Sequence, residues 1–139
     1  MPKIFVSYRR ADLSDLVDRI FESLIDHFGK DAVFRYISSV EPASNFTRKI
    51  GEALHECSAL VAPIGPNWLA ISADGSRGID NDEDWVRTEI SVAMTIGKPV
   101  VPVALNRTPT PKPEMLPKQI RAVCNLQALQ LESGRTLFV

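Results

Sequence analysis

Trp85 and Glu89 stand four residues apart in the stretch DEDWVRTEISVAM, residues 82 to 94. A spacing of four puts two side chains on one face of an α-helix. A carboxylate beside an aromatic wall loses part of its water, its pKa rises, and it is prepared to face a cationic or oxocarbenium-like centre. Aromatic faces also hold cationic rings. A nicotinamide ribose fits that description, because breaking its C–N bond builds positive charge on the sugar. The competing reading is structural. A Glu in the early turns of a helix commonly satisfies the helix dipole from the surface, and Trp85 serves equally well as core. From these two residues alone both readings stay open.

The second candidate is the YRR run at residues 8–10. Arg9 and Arg10 follow a short apolar segment, and a guanidinium grips a phosphate with two parallel hydrogen bonds. The alternative is a pair of solvated surface charges. Neither GxGxxG nor GxxxxGK[ST] follows that segment, so the two best-known glycine cradles for phosphates are missing. His27 and His55 lie apart from each other and from Cys57 and Cys124, with no HExxH or CxxC spacing, so no metal site is expected. No GxSxG elbow surrounds Ser7 or any other serine.

These residues need elements to position them. KIFVSY (3–8) reads as a buried strand. Leu13, Leu16, Val17, Ile20, Leu24 and Phe28 then recur at helical spacing, with Asp12 as the expected cap and Gly29 as the stop. AVFR (32–35) is a second strand, and YISSVEPAS (36–44) a loop. A helix follows through Phe46, Ile50, Leu54 and Cys57, with Asn45 as its expected cap. SALVAPIG (58–65) is a third strand, and Pro66 to Asp84 a long connection of the kind that often carries function. DWVRTEISVAMTI forms a helix ended by Gly97, and KPVVPVAL (98–105) a fourth strand whose prolines suit an edge or a strand end. LPKQIRAV reads as a short helix and NLQALQL (125–131) as a fifth strand. Alternation of this kind predicts an α/β fold with a parallel sheet and helices on both faces. Ligands in such sheets bind beyond the carboxyl ends of the strands. The last stretch, SGRTLFV, shows no final helix to cover the sheet, which suggests a segment of a longer multidomain protein.

Bulk properties narrow the classes. The 139 residues fit one domain, and 45% hydrophobic content supports a core. A formal charge of -1 and a pI near 6.1 argue against a nucleic-acid partner. No apolar run is long enough to span a bilayer, no secretory signal opens the chain, and two unclustered cysteines suggest a reducing, cytoplasmic setting.

Taken together, the segments KIFVSYRRAD, IGEALHECSALVAPIGPNWL, DEDWVRTEI, GKPVVPV and LPKQI, in this order, resemble a bacterial-type TIR (Toll/interleukin-1 receptor) domain across nearly all of residues 1–139. The resemblance implies a flavodoxin-like sheet of five parallel strands. It implies NAD+ as substrate rather than cofactor, cleaved to nicotinamide plus ADP-ribose or a cyclised product. It implies other TIR domains as partners, with self-association as the activating step or, in an adaptor, as the whole function. Glu89 falls on the family's catalytic glutamate. Ser7, Tyr8, Arg9, Arg10, Phe34, Trp68 and Trp85 fall on the substrate pocket, with an arginine on the pyrophosphate. Val40, Glu41, Pro42, Ala43 and Ser44 fall in the assembly loop. That loop departs from the family pattern: Tyr36 and Ser38 replace aspartates, Ala43 replaces glycine, and Asn45 replaces an acid.

Overall fold

The computed structural model describes residues 3–9, 12, 15–35, 43–69, 77–80 and 84–132. Its strands are β1 (Ile4–Val6), β2 (Val33–Arg35), β3 (Ala59–Ile64), β4 (Val100–Leu105) and β5 (Leu129–Leu131). They form one parallel sheet in the order β2-β1-β3-β4-β5. This is the flavodoxin-like order, in which the chain leaves β1 for β2 on one side and returns to β3 on the other. The switch point, where ligands bind in this architecture, therefore lies between the carboxyl ends of β1 and β3.

Side-chain alternation assigns the two faces. Ile4, Val6, Val61, Val103 and Leu105 meet Leu16, Val17, Ile20 and Phe21 of α1 (Asp15–Phe28). On the opposite face, Phe5, Leu60, Ala62 and Ile64 meet α2 (Ala43–Glu56) and α3 (Trp85–Thr95). A 3-10 segment, Lys118–Asn125, adds Ile120 and Val123 to that second core. Each helix contributes an apolar stripe at intervals of three and four, as an amphipathic helix against a sheet must. Gly97, at φ +78°, ends α3 in a conformation open to glycine at no steric cost.

Several expected details change. The first strand closes at Val6, so Ser7 and Tyr8 lie just beyond it. α1 is described from Asp15, the two residues before it lying outside the described residues, and Asp12 is buried and accepts a hydrogen bond from the Asn67 amide at 2.8 Å. α2 starts at Ala43, so Asn45 lies inside the helix rather than capping it, and Ala43 and Ser44 belong to its first turn rather than to a loop. The LPKQIRAV segment winds as a 3-10 helix after Pro117, and the fifth strand is limited to Leu129–Leu131.

β4 is an interior strand, although Pro102 sits within it. The ladder explains the tolerance. The Leu60 amide donates to the Pro99 carbonyl and the Asn106 amide to the Leu131 carbonyl, so even-numbered residues of β4 turn their nitrogens toward β5. β5 pairs only from Val103 onward. Pro102 faces the flank just before that pairing begins, where no ladder donor is required.

Candidate active site

Pro63 has the greater consequence. The Ser7 amide donates to the Val61 carbonyl at 2.9 Å, which makes the next rung of that parallel ladder a bond from residue 63 to the Ser7 carbonyl. Proline has no N–H to give. The β1–β3 ladder therefore stops at Ser7, at the switch point, and the two chains are free to diverge there.

Beyond Val6 the alternation of faces continues. Ser7 points to the side of Phe5, toward α3, and its hydroxyl donates to Glu89 Oε1 at 2.8 Å. Tyr8 points to the other side, where its ring meets Phe21 of α1 edge-on at 5.8 Å. Arg9 returns to the α3 side. Its Nη1 and Nη2 donate to Asp84 Oδ1 and Oδ2 at 2.8 and 2.9 Å.

α3 brings Glu89 to Ser7 because of where Glu89 falls in its stripe. The buried residues of the helix are Val86, Glu89, Ile90 and Ala93, spaced as a core-facing row. Glu89 is 5% exposed and sits in that row, so the surface reading of this residue does not hold. Asp84 caps the helix: its side chain accepts from the Arg87 amide, and its carbonyl accepts from the Thr88 amide and hydroxyl.

A carboxyl group taken out of water prefers its neutral form. Burial pushes Glu89 up from 4.5 to about 8. The Ser7 hydrogen bond opposes that rise, the Asp84 carboxylate adds to it, and the Arg9 guanidinium opposes it. At neutral pH the group thus holds its proton, and it ionises readily when a positive charge is brought to it. A desolvated carboxyl group with a hydroxyl donor at the mouth of the sheet is suited to stabilising a transient cation.

The remaining expected residues fall around this centre at different distances. Trp68 is 1% exposed and joins the core that holds Val86 and Ile90, with its indole N–H unpartnered. Trp85 is half-buried and packs against the same core. Phe34 is 36% exposed and stacks on Phe5 at 5.5 Å, at the level of Phe5 in the ladder and two residues before that of Ser7. Arg10, Val40, Glu41 and Pro42 lie outside the described residues. Sequence reasoning missed Asp84 as the partner of Arg9. It also missed Asp12, whose carboxyl group fits against Gly65 so closely that a Cβ there would lie 2.6 Å from its Cγ.

A cavity of about 350 Å³ opens at the carboxyl ends of β3 and β4, between Ile64–Leu69 and the proline-rich 108–115 segment. It is bordered by Trp68, Pro109, Pro111 and Met115, and Glu89 does not line it. The acid and this apolar hollow are thus not one site, although Trp68, which borders the hollow, belongs to the same core as Val86 and Ile90 of the helix that carries the acid. Among the described residues, no cluster of three or more His, Cys, Asp or Glu is placed to hold a metal, and no helix is long and apolar enough to cross a membrane.

A family model described as a TIR domain matches residues 4–134. Among solved structures, the chain is similar to the TIR domains in the structure of the activated Roq1 resistosome directly recognizing the pathogen effector XopQ. The TM-score is 0.62 at 15% identity, covering 94% of this chain and 88% of that one. At that identity the likeness speaks for the fold.

Proposed function

The chain belongs to the TIR domain family, and from that premise we propose that it cleaves the nicotinamide–ribose bond of NAD+, with Glu89 as the catalytic carboxylate. The observation that carries the reading is a glutamate set in the core stripe of α3, buried, and hydrogen-bonded to Ser7 at the switch point of the sheet. An acid at a core position costs stability, and such costs cluster at functional sites.

The positive charge of the NAD+ pyridinium favours the ionised form of Glu89, whose proton passes to solvent as the substrate binds. As the C1′–N bond breaks, its electron pair goes to the nicotinamide nitrogen, and the sugar becomes an oxocarbenium ion. The ionised Glu89 stabilises that ion and accepts hydrogen bonds from the ribose hydroxyls. Water, or a nitrogen of the adenine, then attacks C1′. The proton released passes to Glu89 or to solvent. Ser7 holds the carboxyl group in place through the cycle.

Self-association is the proposed activating step, with other TIR domains as partners. The neighbouring fold comes from an assembly described as an activated resistosome. A second reading, an adaptor acting only through TIR–TIR contacts, draws support from the altered acidic pattern of residues 36–45. Nicotinamide release from NAD+ separates the two, measured with the chain fused to an oligomerising partner. Release that disappears in Glu89→Ala supports cleavage. Association without release at any concentration supports the adaptor.

A further inference from the structure

Two side-chain contacts among the described residues join the end of β1 to the start of α3: Ser7 to Glu89, and Arg9 to Asp84. The spacings match. Two residues of extended chain, from Ser7 to Arg9, span about 6.6 Å. Five residues of helix, from Asp84 to Glu89, span about 7.5 Å. The tail of β1 and the first turn and a half of α3 therefore run side by side, joined at both ends. The core row of Val86, Ile90 and Ala93 seats the helix on the sheet, and the two polar contacts, one at each end of the segment that carries the acid, fix its rotation there.

We propose that Asp84 is a positioning residue: by gripping Arg9 from the start of α3, it fixes the rotation of that helix and holds the Glu89 carboxyl group against Ser7 at the switch point. The proposal rests on Glu89 being the reacting group. It gives Arg9 a role other than the pyrophosphate contact, which the family resemblance left to Arg9 or Arg10.

Three features support it. Both terminal nitrogens of Arg9 are engaged by Asp84, and the side chains are largely buried, at 17% and 10% exposure. Partly buried, bidentate pairs of this kind hold geometry better than exposed single contacts. Asp84 Oδ2 also accepts from the Arg87 amide, so one carboxylate ties the strand end and the helix cap together. The Nε of Arg9 is buried without a hydrogen-bond partner, so the hydrogen bonds of this guanidinium among the described residues are the two to Asp84. The charged groups that bear on Glu89 are this same pair, Asp84 on its own helix and Arg9 from β1.

The test is a double-mutant cycle on the oligomer-enforced chain, with Arg9→Met, Asp84→Asn and both together, reading kcat and KM for nicotinamide release from NAD+. Asn keeps the capping oxygen, so α3 retains its N-terminus; amide NMR spectra check the fold of each variant. Each single change is expected to lower kcat about tenfold or more with KM within about twofold, and the double change to be no worse than the poorer single. Arg9→Lys, which keeps the charge and loses the fork, is expected to behave like Arg9→Met. A raised KM with unchanged kcat in Arg9→Met, beside a wild-type Asp84→Asn, would overturn the proposal and return Arg9 to the substrate. A second readout needs no turnover: the carbon-13 titration of the Glu89 carboxyl carbon. Ser7→Ala is expected to raise the midpoint in the wild-type background, where the Ser7 hydroxyl favours the ionised form, and to leave it unmoved beside Asp84→Asn, where the acid no longer rests on Ser7. An equal rise in both backgrounds overturns the proposal. A chain that never cleaves NAD+ but shows the rise only with Asp84 intact retains the clamp and loses the reading of Glu89 as catalytic.

Discussion

Replacing Glu89 with Gln separates the charge of this residue from its shape. Gln is close in size and keeps an oxygen for the Ser7 hydroxyl, but it cannot ionise. In the folded chain Glu89 titrates near 8 rather than 4.5, mainly because burial disfavours the charged form. Between those values the folded state holds a proton that the unfolded state has released. Stability therefore falls as pH rises. The full stability is present below about 4.5, and the loss is complete only above about 8. At about 1.4 kcal/mol per pH unit, that interval amounts to on the order of 5 kcal/mol, a large part of the total stability of a domain this size. Urea unfolding of both proteins, from pH 5 to pH 8.5, measures it. Groups that titrate alike in both cancel in the difference. The two are expected to unfold together at pH 5, and Glu89→Gln to become progressively more stable toward pH 8.5. Parallel curves across that range would refute the desolvated acid.

Other consequences can be checked with single changes. Ser7→Ala removes a hydrogen bond that favours the ionised carboxylate; the Glu89 midpoint, read by carbon-13 NMR, is expected to rise further. Gly65→Ala places a methyl group 2.6 Å from Asp12 Cγ; the expected cost is about 1–3 kcal/mol in thermal unfolding, and adding Asp12→Ala is expected to recover part of it. Pro63→Ala restores an N–H opposite the Ser7 carbonyl; proton–deuterium exchange is expected to show a new protected amide at residue 63, with NAD+ cleavage reduced as the crevice closes by one rung. Trp68→Ala empties the core beneath α3 and is expected to cost about 3–5 kcal/mol in urea unfolding.

The pattern of apolar residues was enough to read the α/β class, the number of strands and their alternation with helices along the chain, and the helix that carries Glu89. Periodicity over ten or more residues survives small local ambiguities. Boundaries were harder. Asn45 reads as a cap from its own preference, yet helical backbone begins two residues earlier, because cap preferences differ by only about 1 kcal/mol and packing of Ile50, Ala53 and Leu54 overrides them. Pro102 reads as an edge residue because a sequence does not say where the neighbouring strand begins. The burial of Glu89 was partly legible, since it sits in step with Val86, Ile90 and Ala93. The pairing of Arg9 with Asp84 was not, because 75 residues separate them and only the sheet order brings them together.

Nicotinamide release from NAD+, compared between the oligomer-enforced chain and its Glu89→Gln variant at pH 8, tests the central claim most directly. Release by the first, with loss of at least about a hundredfold in the second despite an intact fold, is the expected result. Equal release from both would contradict it.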